Sequence, residues 1–296
     1  MSNANEAEAD ITELNVRKPP VEGRLFLDSF SFSEIFRRVL ASAREELDSS
    51  TKVLFWSGLA AGLSLGLTFY ARATLTGFSE AADPRLVGNL LYPVGFIIIV
   101  IGKYQLFTEN TLTPVALVLT RLAKVRNLLR LWGTVLTANL IGAALIAALF
   151  ALTDVKEPSA AEAALDMGLH ALDVSFGAKF WRAVIAGWIV ATMVWLVHAA
   201  RDTWSRIVIV YLLMYFIGVS DLFHVVTGTV EVLYVAFEGS TSFFGVWHRF
   251  VLPVLAGNVI GGVGFVTVLN TAHFGQVHKD EMAKSLRRNE ASESLP

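Results

Sequence analysis

The sequence predicts an all-α membrane protein of six transmembrane helices, arranged as an inverted repeat of three plus three, with the second and fifth helices broken. Three observations carry this expectation. The 296 residues are 54% hydrophobic and 17% charged, with a mean hydropathy of +0.55, outside the range of water-soluble globules. Apolar stretches long enough to cross ~30 Å of hydrocarbon run over about 53–75, 86–119, 131–152, 180–197, 207–237 and 250–274. Short blocks also recur in order between the two halves. A net charge of -2 supplies no basic field for nucleic acid, and the absence of cysteine removes disulfides, zinc–thiolate sites and thiol nucleophiles.

The chain divides into a tail and amphipathic helix at 1–50, a channel domain at 51–275 and a C-terminal tail at 276–296. Residues 1–20 are polar and acidic, contain Pro19 and Pro20, and read as disordered. No short apolar region with a cleavage site is visible, so no signal peptide is expected. Ser31 with Glu34 forms a capping pattern, and Phe32, Ile35, Phe36, Val39, Leu40, Ala43 and Leu47 follow at helical spacing. Such a stripe suits an interfacial helix or a lid, but an amphipathic helix more commonly packs on the protein's own surface.

Orientation follows from the short connections. Arg121, Lys124, Arg126 and Arg130 lie between spans two and three, and Arg201 and Arg206 between four and five, so both loops are expected in the cytoplasm. Lys279, Lys284, Arg287 and Arg288 place the C-terminal tail on the same side. The connection holding Asp154, Glu157, Glu162, Asp166 and Asp173 has one lysine, Lys156, and belongs outside. Both termini are then cytoplasmic, in a multi-pass protein of the inner (plasma) membrane. Trp132, Trp204 and Trp247 sit near span ends, where tryptophan anchors at the interface.

The second and fifth spans carry polar residues in mid-membrane, at 102–112 and 218–229. Their donors and acceptors are costly in lipid, so this backbone must face protein or a wet cavity, the usual construction of a permeation site. The repeat pairs Phe55-Trp56 and Ala61-Gly62 with Phe180-Trp181 and Ala186-Gly187. It pairs Leu106-Phe107-Thr108 with Leu222-Phe223-His224, and Asn139-x-x-Gly142 with Asn258-x-x-Gly261. Three spans per unit require the units, about 51–153 and 178–275, to be inverted. The pseudo-two-fold axis then brings Thr108 and His224 to equivalent depths.

Together, the Leu106-Phe107-Thr108 loop, Asn139 before Gly142, His224 in a broken span and Gly257-Asn258-x-x-Gly261-Gly262 resemble the formate/nitrite transporter family over about residues 30–275. The resemblance implies an aquaporin-like protomer in a homopentamer, each subunit with a pore for a small monovalent anion such as formate, nitrite or hydrosulfide. It implies Thr108 and His224 at the pore centre, Tyr92, Phe96, Leu106 and Phe107 as constriction residues, and Asn258 as a pore-side polar group. Phe223 directly before His224, and Lys103 and Glu109 in the first loop, mark a divergent branch.

The chemistry needs no cofactor, metal or enzymatic step. A small anion cannot cheaply shed water to cross an apolar neck. A central donor can hydrogen-bond it or lend it a proton so that the neutral acid passes, and imidazole titrates in the useful range. Helix N-termini beginning after each break add positive partial charge. Lys103 and Glu109 are expected to pair and hold the loop; the alternative is that Lys103 draws anions into a vestibule. Asn139 reads as a helix-to-helix bond, while Asn258 is balanced between that role and the pore. An aquaporin-like channel for neutral solutes is the competing function, and a proton is a candidate co-substrate.

Overall fold

The computed structural model describes residues 29–277 and Lys279. The expectations for the first twenty residues and for Lys284, Arg287 and Arg288 lie outside them. Helix α1, Phe32–Asp48, starts where Ser31 closes its capping box: the Glu34 N–H donates to Ser31 Oγ at 3.3 Å and the Ser31 N–H to Glu34 Oε2 at 2.6 Å. Its stripe of Phe36, Val39, Leu40, Ala43 and Leu47 is buried. Phe36 stacks on Phe274 at 4.4 Å, and Arg38 Nε donates to the His198 carbonyl at 2.7 Å. The amphipathic helix therefore packs on the protein itself. These contacts put α1, the 120–124 connection reached by Arg44, and the end of the last span at one end of the bundle.

The helices that follow are α2 (Thr51–Gly77), α3 (Pro84–Gly102), α4 (Thr113–Leu119), α5 (Val125–Leu152), α6 (Pro158–Asp173), α7 (Phe176–Ala199), α8 (Thr203–Val219), α9 (Val225–Phe237) and α10 (Phe243–Val277). Helices α2, α3, α5, α7 and α10 are each long and apolar enough to cross a membrane. The second span is α3 with α4, broken between them; the fifth is α8 with α9, two shorter apolar helices. No strand occurs among the described residues. The fold is thus the all-helical six-span arrangement with the two expected breaks.

Glycine permits two corresponding backbone-to-backbone crossings. A Cβ at Gly62 on α2 would stand 2.2 Å from the Asn139 carbonyl oxygen of α5; one at Gly187 on α7 would stand 2.2 Å from that of Asn258 on α10. Backbone meets backbone there, which only glycine allows.

Helix α6 falls in the connection read only as an acidic loop. Its Ala160, Ala164, Met167, Gly168, Ala171 and Leu172 face is buried, with Gly168 against the Glu231 backbone of α9. The spacing is helical and was readable, but the charges between these residues masked it. Trp132 is no simple interfacial anchor: its Nε1–H donates to the Asn110 carbonyl at 3.0 Å and its ring meets Phe107 edge-on at 5.5 Å. Trp204 is 72% exposed, as an anchor would be.

Candidate functional site

Both breaks are built alike. Helix α3 ends at Lys103 in the left-handed conformation (φ 55°), with the Lys103 N–H bonded to the Val100 carbonyl and the Tyr104 N–H to that of Ile99. Helix α8 ends through Asp221 (φ 52°), with its N–H on Gly218 and that of Leu222 on Ile217. Each is a left-handed helix stop that turns the chain back toward the bundle centre. The returning segment is then gripped by an asparagine. Asn139 Oδ1 accepts from the Phe107 N–H at 2.9 Å, while its Nδ2 donates to Gln105 O at 3.0 Å and Gly58 O at 2.8 Å. Asn258 Oδ1 accepts from the Val225 N–H at 2.8 Å, while its Nδ2 donates to Phe223 O at 2.9 Å and Ala183 O at 2.8 Å.

Two expectations change here. Asn258 is fully buried with both side-chain polar atoms committed to backbone, so it is a clamp, as Asn139 is, and not a pore-side group. The clamps also set the register of the repeat. Asn139 encloses Leu106 and Asn258 encloses His224, so the symmetry mate of His224 is Leu106. The match of Leu106-Phe107-Thr108 to Leu222-Phe223-His224 is shifted by two positions, because side-chain likeness follows sequence whereas the clamp grips backbone.

Thr108 and His224 nevertheless meet, Oγ1 to Nε2 at 2.6 Å, both about 1% exposed. His224 is also the N-cap of α9: the Thr227 N–H donates to Nδ1 at 3.3 Å. An N–H can only donate, so Nδ1 accepts and Nε2 carries the hydrogen in the neutral ring. Nε2–H then donates to Thr108 Oγ1, which leaves the threonine hydroxyl hydrogen available to a guest. Phe96 packs edge-on to the imidazole at 5.1 Å, and Tyr92 stacks on Phe96 at 5.5 Å. Tyr92, Phe96 and Ile99 recur along one face of α3.

A cavity of about 440 Å³ on the α6 side reaches this centre, lined by His224, Phe223, Tyr92, Arg72 and Glu231 among others. A second, of about 480 Å³ on the α1 side, is lined by Lys103, Glu109, Gln105, Ile99 and Glu46. Leu106 and Phe107 are buried, and Phe107 packs on Trp132. Lys103 and Glu109 share the second cavity but form no ion pair among the described residues. The left-handed stop leaves Lys103 exposed, while Glu109 is drawn inward and its Oε1 has no hydrogen-bond partner. The α1 carboxylate Glu46 instead engages this loop, accepting from Thr113 Oγ1 at 2.6 Å and Asn110 Nδ2 at 3.2 Å. Among the described residues no cluster of three metal-ligating side chains occurs.

A buried ion pair that no local pattern announced crosses the α6-side cavity. Arg72 Nη1 of α2 meets Glu231 Oε1 of α9 at 2.8 Å, with the side chains 12% and 7% exposed. The only cue in the sequence was a charge inside each apolar stretch; their pairing across the repeats could not be read.

The model of a family described as formate/nitrite transporter matches residues 33–272. The chain is 32% identical to the inner membrane protein YfdC of Escherichia coli over 88% of this chain and 85% of that one. It is 23% identical to the formate channel BtFdhC of Bacillus thuringiensis over 83% and 96%. Among solved structures, a pentameric formate channel with formate bound superimposes with a TM-score of 0.63 at 21% identity, covering 74% of this chain and 95% of that one. An FNT family ion channel gives 0.72 at 18% identity over 80% and 97%. At these identities the structural likeness speaks to the fold.

Proposed function

The chain belongs to the formate/nitrite transporter family, and from that premise we propose that it is a membrane channel or transporter for small monovalent anions or their weak acids, moved without chemical conversion. Relatives named as formate channels support the anion over the neutral-solute alternative. The observation that carries the reading is the Thr108–His224 contact at the foot of a deep cavity, between two re-entrant loops. Fixed donors aimed at one buried point suit an ion that must leave water, and the N-terminus of α9 adds its partial charge. Of the two ways a central histidine can serve, the tautomer set by Thr227 favours donation: Nε2–H holds Thr108, and Thr108 presents its hydrogen to the anion. Phe96, Tyr92 and Leu106 supply the apolar collar, while Phe107 supports it from Trp132.

The reading extends to assembly and placement. The pentameric solved neighbour supports a homopentamer, the E. coli relative's name supports the inner membrane, and the arginines near α1 support an α1 side facing the cytoplasm. The test is flux into proteoliposomes: uptake of formate or nitrite with little response to an uncharged osmolyte supports it, and osmotic shrinkage with no anion dependence overturns it. A reporter active only in the periplasm should be silent when fused to the C-terminus and active when inserted near Glu162.

A further inference from the structure

His224 lies inside its asparagine clamp, between the Phe223 carbonyl and the Val225 N–H, whereas Thr108 lies outside its own, because Asn139 stops at the Phe107 N–H. The residue whose hydroxyl has to be aimed is therefore the one that the shared frame does not grip. Two further threonines hold it. Thr111 Oγ1 donates to the Thr108 carbonyl at 2.7 Å, where the backbone bond from the Thr111 N–H is long, at 3.4 Å. Thr267 Oγ1 of α10 donates in turn to the Thr111 carbonyl at 2.8 Å, with the Gly262 carbonyl its more distant partner at 3.1 Å. Thr108, Thr111 and Thr267 are all buried, so each hydroxyl counts for more than it would in water. The last span is shaped for this reach. Residues Gly261–Val268 of α10 are π-helical, a rare winding that recurs at functional sites. Its copy in the first half, α5, is α-helical throughout Val125–Leu152. Nine residues past the clamp asparagine α10 carries Thr267, and α5 carries Ala148. Gly262 makes the room, since a Cβ there would stand 2.1 Å from Thr111 Oγ1.

We propose that Thr111 and Thr267 are positioning residues for the central donor. Hydroxyl-to-carbonyl bonds running from the π-helical segment of α10 fix the Thr108 peptide, and so keep Thr108 Oγ1 on the His224 Nε2–H with its own hydrogen turned to the guest. That the guest is a small anion rests on the transport reading above; the positioning rests on the threonine bonds themselves. A Thr108 released from them keeps its hydroxyl and loses its aim. The departure of α10 from its copy thus falls where the first loop lacks the second hold that His224 has from its clamp.

The experiment pairs formate flux into proteoliposomes with the imidazole N–H resonance of His224 in protein carrying isotopically labelled histidine, assigned by its loss in His224→Asn. Thr267→Val keeps the shape and removes the hydroxyl. It should lower flux about tenfold and move the resonance upfield as the Nε2–H bond to Thr108 loosens, while Thr267→Ser should return flux to within about twofold and restore the resonance. Thr111→Val and Thr111→Ser should follow the same pattern. In a Thr108→Val background Thr267→Val should lower flux no further, because aim matters only while the hydroxyl is present. An unmoved flux and resonance in Thr267→Val, serine variants as impaired as the valine ones, or a further loss in the Thr108→Val background would each overturn the proposal. Failure of both valine variants to assemble would show a purely structural role and overturn it too. If the wild type carries no anion while the His224 resonance responds as described, the positioning stands and the transport reading falls; wild-type flux that Thr267→Val leaves untouched is the reverse.

Discussion

In the first half the asparagine clamp closes on Leu106 and in the second on His224, although both loops leave their helices through the same left-handed stop, at Lys103 and Asp221. Beyond the clamp the halves diverge. The first continues through a 3₁₀ turn at Glu109–Thr111 into the seven-residue α4, whereas the second enters the thirteen-residue α9 at once, with His224 as its cap. The covers differ as well: α1 closes on the first loop through Glu46, and α6 meets the second through the His170–Asp221 contact while packing on both α2 and α9. Shared backbone with unshared side chains teaches that symmetry builds the frame and its breaking builds the site. A two-fold copy of Leu106 would give an apolar plug; replacing it by an imidazole beside Thr108 puts donors where the plug would be.

The largest expected effect tests the shared frame. Asn139→Ala and Asn258→Ala each orphan one backbone N–H, of Phe107 or Val225, and one loop carbonyl, of Gln105 or Phe223, in a dry site, at about 3 kcal/mol or more. Both variants should lose most of the assembled species in size-exclusion chromatography. Normal assembly of either would break the equivalence of the clamps.

A smaller effect sharpens the difference between the covers. Burial pushes the Glu46 carboxyl up to about 7, outweighing the hydrogen bonds from Thr113, Ser42 and Asn110, with Glu45 adding like charge. The folded protein therefore holds a proton that the unfolded chain, titrating near ~4.3, has released. Stability from this group is intact below that value and declines as pH rises toward 7. Glu46→Gln should flatten the fall in Tm between pH 5 and 8; an unchanged slope would show that α1 is not held through a protonated Glu46.

Much of this frame is legible in the amino-acid order. Apolar runs mark the spans, interrupted by polar clusters at the two breaks, and the Gly62/Asn139 and Gly187/Asn258 crossings repeat as short motifs. Thr108 and His224 stand out because a hydroxyl and an imidazole in mid-span are expensive. What escaped depends on backbone geometry or distance. The clamp register, the outward turn of Lys103 away from Glu109, and the Arg72–Glu231 pair across 159 positions leave no periodic trace. Helix α6 escaped because an alanine and glycine face is faint beside its acidic residues.

The central claim is that the His224–Thr108 pair handles the ion as a hydrogen-bond donor. Formate and nitrite flux into proteoliposomes across pH 5 to 8, comparing wild type with His224→Asn and Thr108→Val in protein shown to be assembled, tests it most directly. The account predicts that Thr108→Val lowers flux at least about tenfold, and that His224→Asn, which keeps a donor, retains part of the flux with an unaltered pH profile. Unchanged flux in Thr108→Val, or a pH profile that disappears with His224, would contradict it: the first would remove the pair from the permeation path, and the second would make the histidine a proton carrier.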